Sequence, residues 1–366
     1  MVSGFENMMT HLFLLIENTY TYYGGAGMVN KKIEERRITA KDVARLAGVS
    51  QPTVSRVFSS DKKVAPETCE KVLAAVLELG YKPNAIARSL TSQRTDIIGI
   101  VTQLSKGFFL PTLDMISRKL QKAGKQVLLF NVEPDQVLDD VIFRVLQYQV
   151  DGLIITAATL SSKMADVCAR QGTKVLLFNR YILGTQVNAV SSDNVEGGRM
   201  VANCLLDTGH KRLAFLGGGE MVTTTVDRLK GFGDRIRERG IEDFIIDYAG
   251  EYFYDAGRSV GKRLLERSDR PDAIFCAGDV LALGVMDAAR HDLGLRVPED
   301  VSVVGYDDVA VASWPPYDLT TVRQPFDEMV DTGIEMLLRS IENRDSEPEL
   351  KLFQGKLIKR STVKNL

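Results

Sequence analysis

Gln51, Thr53, Ser55 and Arg56 are residues whose types and spacing suit one definite chemistry. An arginine can donate two parallel hydrogen bonds to the O6/N7 edge of guanine, and a glutamine can pair with an adenine edge. Serine and threonine hydroxyls reach bases or phosphates. Close together in sequence, these four suit a single helix face laid in a DNA groove; the plainer reading is a solvated helix face. Catalytic chemistry has no comparable focus. Cys69, Cys168, Cys204 and Cys276 lie far apart without C-x-x-C spacing, and the three histidines add little to a metal set. These cysteines read as small buried apolar residues in a reducing compartment. Leu216-Gly217-Gly218-Gly219 lacks G-x-G-x-x-G spacing, and Glu220 would repel a pyrophosphate, so it reads as a close turn after a strand. With no nucleophile and base or metal set at strand ends, no enzyme activity, cofactor or metal is expected.

The elements that must hold the first group can be read from Thr39 to Phe58. Thr39 is an N-cap, with Asp42 three residues on completing a Thr-x-x-Asp box. Val43, Leu46 and Ala47 share a face, and Gly48 supplies a helix stop. Ser50 is a second N-cap, Pro52 is tolerated in a first turn, and Val54, Val57 and Phe58 form the inner face of the second helix. This is helix-turn-helix geometry. A third helix begins near Pro66, buries Val72, Leu73, Val76 and Leu79, and stops at Gly80. Lys82-Pro83 breaks the chain. Residues 84–90 are too few for a helix that persists alone in water, so this segment is expected to be helical only on DNA.

From Asp96 the rhythm becomes strand, helix, strand. Short β-rich runs at 97–101, 127–130, 152–155 and 175–178 alternate with amphipathic stretches at 113–124 and 137–149. The pattern restarts with strands at 213–216, 244–246, 273–276 and 301–305 and helices at 197–208, 227–239, 256–266 and 280–292. Two consecutive parallel α/β units imply two lobes and a cleft, with ligands met outside the carboxyl ends of strands. Asn179 and Arg180, at one such end, are candidate ligand contacts.

A chain of 366 residues holds more than one core. Net charge is −2 overall, but Lys31 to Arg94 carries 13 basic and 7 acidic residues, leaving an acidic remainder. A basic head on an acidic body suits DNA binding. No apolar run has transmembrane length, and the patch from His11 to Ile16 follows Glu6 with no basic residue before it, unlike a secretory signal. A cytoplasmic location and no membrane partner are expected. Met28-Val-Asn-Lys-Lys suits a translation start, which would make residues 1–27 non-native.

Four motifs resemble the LacI/GalR family of bacterial transcription regulators. They are Asp42-Val-Ala-x-x-Ala-Gly-Val-Ser50 with Thr53-Val-Ser-Arg-Val57; Gly80-Tyr-x-Pro-Asn-Ala-Ile-Ala-Arg-Ser-Leu90; Val301-Ser-Val-Val-Gly-Tyr-Asp-Asp308; and Leu319-Thr-Thr-Val-Arg-Gln-Pro325. The resemblance implies an α-helical helix-turn-helix headpiece (38–82), a hinge helix and linker (83–95) and a two-lobed α/β periplasmic-binding-protein-like core (96–366). Residues 1–37 are expected to be an N-terminal extension, disordered or non-native. It implies DNA contacts by Thr39, Ser50, Gln51, Pro52, Thr53, Ser55 and Arg56, although Pro52 departs from the polar residue often seen there. At the hinge, Leu90 would wedge between base pairs, Ala87 would let two hinge helices approach, and Asn84 and Arg88 would hold phosphates.

In the core, the resemblance implies an effector acceptor at Asp279, otherwise an N-cap, and an effector-binding arginine at Arg228. Chain crossings are expected near Ser191, Asp308 and Asn343, which puts Trp314 beside a crossing, to stack on a sugar or to pack the hinge. Phe109 is a further aromatic candidate. The implied function is a repressor acting as a homodimer on a palindromic double-stranded DNA operator, controlled by a sugar or sugar acid between the lobes. The tail carries no leucine heptad, so no tetramer is implied. The rival reading is a soluble sugar-binding protein or sugar-modifying enzyme with an accidental helical head.

Overall fold

The computed structural model describes residues 38–58, 64–81, 94–104, 109–133, 136–156, 161–182, 187–343 and 345–364. The N-terminal extension and Asn84, Ala87, Arg88 and Leu90 lie outside them. The chain divides into two compact units, 1–84 and 85–366.

The first unit packs helices α1 (Ala40–Ala47), α2 (Gln51–Val57) and α3 (Pro66–Leu79) around Val43, Ala44, Val54, Val72 and Ala75. The Thr39 backbone N–H and hydroxyl both donate to the Asp42 carboxylate, at 3.0 and 2.7 Å, which fixes the start of α1. Gly48 ends it at φ 63°, a conformation costly for any residue with a Cβ. Ser50 Oγ accepts the Thr53 backbone N–H at 3.3 Å and starts α2. Leu46 corrects the expected inner face: it is 45% exposed, and Ala44 takes its place. An eight-residue helix crossed by two others buries a narrow stripe, and beside Val43 the small Ala44 lies nearer the centre than Leu46.

The second unit holds two six-stranded sheets. The first lobe comprises β1 (Ile97–Thr102), α4 (Leu110–Lys122), β2 (Gln126–Asn131), α5 (Leu138–Leu146), β3 (Gly152–Ile155), α6 (Ser162–Arg170), β4 (Lys174–Phe178) and β5 (Asn188–Ser192). The second comprises α7 (Asn194–Asp207), β6 (Leu213–Gly217), α8 (Thr223–Glu238), β7 (Ile245–Tyr248), α9 (Tyr254–Leu265), β8 (Ala273–Cys276), α10 (Asp279–Asp287), β9 (Ser302–Asp307) and β10 (Thr320–Arg323). The chain then returns with α11 (Phe326–Glu342) and β11 (Leu350–Phe353) to the first lobe and with β12 (Lys356–Ile358) to the second. Strand orders are β11-β5-β4-β3-β1-β2 and β12-β10-β9-β8-β6-β7, parallel except for β12 against β10. Nearly continuous apolar strands, such as Ile97–Thr102 and Ser302–Asp307, are buried on both faces, as parallel sheets require.

The lobes are joined at three places: Ser192 to Asn194, Arg323 to Phe326 and Phe353 to Lys356. The first lies close to the expected crossing at Ser191. The other two correct it, from Asp308 to Gln324-Pro325 and from Asn343 to Gln354-Gly355. The chain does not leave the second lobe at Asp308, because Thr320–Arg323 pairs in parallel with β9. The crossings abut. The Asp193 N–H donates to the Phe353 carbonyl at 2.7 Å, and a Cβ on Gly355 would stand 3.1 Å from the Arg323 carbonyl and 3.7 Å from Ser192 Oγ. Among the described residues no helix is long and apolar enough to cross a membrane.

Candidate DNA-reading helix and effector cleft

On α2, Gln51, Pro52, Ser55 and Arg56 are exposed. The Thr53 hydroxyl lies 2.8 Å from Ser50 Oγ and so is engaged in the cap. Thr39 is exposed, but its hydroxyl holds Asp42. The freely presented groups on this helix are therefore Gln51, Ser55 and Arg56. Val54 behind them is 1% exposed and seats the helix on its partners.

In the second unit, the carboxyl ends of the strands bring together a polar set that includes some expected residues and not others. Arg228, on α8, is 2% exposed. Its Nε donates to Asn194 Oδ1 at 2.8 Å and Nη1 donates to the Ala277 carbonyl. Nη2 lies 3.8 Å from Asp307 Oδ1, and the guanidinium stands 3.6 Å over the Tyr306 ring. Asp307 closes β9 at φ 122° and accepts the Gln324 side-chain N–H at 2.6 Å. Gln324 Oε1 is buried without a partner.

Asp279 is placed differently from the expectation. It is 0% exposed, and both carboxylate oxygens are taken: one accepts the Thr321 hydroxyl at 2.6 Å and the other the Val309 N–H at 2.9 Å. It is the first residue of α10, not its cap. Both Asp279 oxygens are thus engaged inside the second lobe, and Asp307, beside Arg228 and Gln324, is a second candidate acceptor. Burial raises both carboxyls above the ordinary range, and the charge of Asp307 raises Asp279 further.

On the first-lobe side, Asn179 follows β4 at φ 60°, with Oδ1 buried and unpartnered. Arg180 Nε is likewise shut off and unpartnered. Tyr181 reaches across the cleft, donating its hydroxyl to Asp227 at 2.7 Å. Tyr252 stands between the two sides. Its hydroxyl lies 2.6 Å from Thr225 Oγ1, and its ring packs where a Cβ on Gly218 or Gly278 would sit. Gly217 and Gly218 thus make room for the rings of Tyr248 and Tyr252. Phe109 is buried edge-on against Phe178 and Phe326 in the first-lobe core. Trp314 is 57% exposed on the segment between β9 and β10, which runs between two strands of the second lobe and is not itself a crossing. The neighbouring Pro316 carbonyl instead accepts from Arg290.

Asp307 and Gln324 lie within two of the sequence motifs but receive no role from them, and Tyr252 lies in none. The carboxyl-end rule, applied to β9 and β10, points to the first two, since each directly follows or closes its strand.

Residues 39–84 match the model of bacterial regulatory proteins of the lacI family, and residues 202–363 match a periplasmic binding protein-like domain. An HTH-type transcriptional repressor PurR from Photobacterium profundum is 33% identical over 334 residues, covering 90% of this chain and 99% of that protein. The chain belongs to the LacI family of bacterial regulatory proteins. It is a ligand-controlled, DNA-binding transcriptional repressor, so its helical head is not accidental. A PurR from Vibrio atlanticus is 34% identical over 335 residues, with 90% and 99% covered. Among solved structures, this LacI-family repressor is similar to the lac repressor dimer bound to operator and the anti-inducer ONPF. There the TM-score is 0.79, with 30% identity over 89% of this chain and 99% of that one. A CelR–cellobiose complex gives a TM-score of 0.66 and 31% identity over 89% and 100%.

Proposed function

We propose that this repressor binds a palindromic double-stranded operator as a homodimer and is switched by a carbohydrate held between its two lobes. The observation that carries the effector class is the Arg228–Asp307–Gln324 set. A guanidinium only donates, a carboxylate only accepts, and Gln324 keeps an unused acceptor in the same place. Adjacent sugar hydroxyls both donate and accept, and so satisfy such a set together. A flat apolar ligand would leave these groups desolvated and unpaired, at a cost of about 2 kcal/mol or more for each. The solved CelR relative is a complex with cellobiose, a ligand of this class.

Gln51, Ser55 and Arg56 are the proposed base readers, each half of the dimer reading half of the palindrome. The cleft is assigned binding and no turnover, and the protein a cytoplasmic place of action.

The test is a thermal-shift screen of sugars, sugar acids and nucleosides, followed by operator release with any compound that stabilises the core. Stabilisation by a sugar or sugar acid that also alters operator binding supports the reading. A nucleoside as the sole ligand, or a ligand recovered chemically changed, overturns it. Arg56→Ala should cost about 1–3 kcal/mol on operator and relax the preference at one base pair. Equal loss on operator and random DNA would assign Arg56 to a phosphate.

A further inference from the structure

We infer that the effector is an anion, a carboxylate or phosphate on a polyhydroxy body, and that Arg180 is its counter-ion. This rests on the cleft reading above and narrows it. The two arginines of the cleft are treated oppositely by the fold. Arg228 has an amide oxygen, a carbonyl, a carboxylate and an aromatic face around it. Arg180 forms no hydrogen bond or ion pair with any described residue, although its Nε has no access to solvent. Burial pulls its pKa down to about 10, with only the Tyr252 phenol favouring the charged form. It is still fully charged at neutral pH.

The acids around the neighbouring Tyr181 are occupied. Asp227 accepts the Tyr181 hydroxyl, and Asp193 accepts the Glu196 N–H at 2.9 Å as the cap of α7. Buried charges in proteins are paired, because an isolated one is expensive. A guanidinium at a strand end, with its Nε buried and unpartnered and no carboxylate paired to it, offers a fork that a carboxylate or phosphate can engage bidentately.

The geometry leaves room for both ends of one ligand. Tyr252 is flanked by Arg180 on one side. On the other is Gly278, where a Cβ would stand 2.9 Å from the Tyr252 ring and 3.5 Å from Asp307 Oδ2. Tyr252 thus neighbours both Arg180 and the Gly278 backbone beside Asp307, so one ligand with an anionic group and hydroxyls could address both.

The test uses the full-length protein and matched triplets of probes: a neutral hexose, its uronate and its 6-phosphate, by thermal shift and titration calorimetry. Anionic members should bind at least tenfold more tightly than the neutral one, and the triplet shows whether carboxylate or phosphate is preferred. Arg180→Gln should bring the anion down to the neutral sugar's affinity. Equal affinity across every triplet, no binding by any anionic member, or unchanged anion binding by Arg180→Gln overturns the inference. Failure of the carbohydrate reading looks different: a carboxylate without hydroxyls binds as tightly as a uronate, and Asp307→Asn leaves that affinity unchanged. A ligand-free check stands beside these. Arg180→Met removes an unpaired charge and should raise the melting temperature by about 2–4 °C. A fall of that size would show that Arg180 is a structural partner and overturn the inference.

Discussion

The two lobes share a sheet order but differ at the edges that face each other. In the second lobe, Arg228, Asp307, Gln324, Asp279 and Thr321 hold one another before any ligand arrives. In the first, Asn179 Oδ1 and Arg180 Nε wait without partners. The second-lobe edge is held by its own network, with the Gln324 Oε1 and Tyr306 hydroxyl left over, while at the first-lobe edge no such network surrounds Asn179 Oδ1 and Arg180 Nε. On the proposed cleft reading, a ligand seated on the second-lobe edge would offer partners to Asn179 and Arg180 as the lobes approach. This is how differential affinity for two states becomes a conformational shift.

The contrast can be broken most severely at Arg228. Arg228→Leu strands Asp307 as an uncompensated buried charge and should destabilise the core by about 3–5 kcal/mol. Urea unfolding of two variants reads the difference directly: Arg228→Leu loses stability while Arg180→Met does not. Similar losses for both would erase the distinction between the edges.

A smaller effect lies in pH. A carboxyl whose folded pKa exceeds its unfolded one carries more protons when folded, so the core loses stability as pH rises between those two values. Asp279 and Asp307 are both of this kind, and each unit of elevation is worth about 1.4 kcal/mol. The melting temperature of Asp279→Asn should therefore fall less steeply than that of the parent from the ordinary carboxylate range up to neutrality. Parallel pH profiles would mean that Asp279 is ionised at little cost.

The smallest effect concerns the strap across the cleft. Tyr181→Phe removes one interlobe hydrogen bond, worth about 0.5–1.5 kcal/mol. Effector affinity should drop a few-fold with urea stability nearly unchanged. A loss in stability with no change in affinity would place this contact in the fold and not in closure.

Much of this is legible in the chain. Thr39, Gly48, Ser50 and Pro52 mark helix ends by local chemistry, which needs no tertiary knowledge. Strands β1, β3, β4 and β8 are dense enough in Val, Ile, Leu and Phe to stand out. What stays hidden are elements whose polar residues are satisfied at long range. Thr320–Arg323 is not among the strands read from the sequence, yet the Thr320 hydroxyl donates to the Arg360 carbonyl and that of Thr321 to Asp279, which lets a polar strand be buried. Without that strand, a crossing is misplaced from Gln324 to Asp308, and with it the reading of Trp314. Helix α11 is also missing from the helices read, although Asp327 and Glu328 in its first turn and the buried side of Met329, Val330, Ile334 and Leu337 are both helix signals. The unpartnered Nε of Arg180 is not readable at all, since an unmade hydrogen bond leaves no mark in sequence.

The three crossings lie against each other, with Gly355 wedged beside Arg323 and Ser192. Three short tethers side by side restrict a joint much as three adjacent hinge leaves restrict a door. Sliding and stretching are resisted by covalent chain in each tether, while a swing about the line of the tethers needs only small torsional changes in each. Ligand-driven motion in this core should accordingly be a rotation with a fixed axis. Its reach then grows in proportion to distance from that axis, smallest at Asp193 and greatest at the far rims of the lobes.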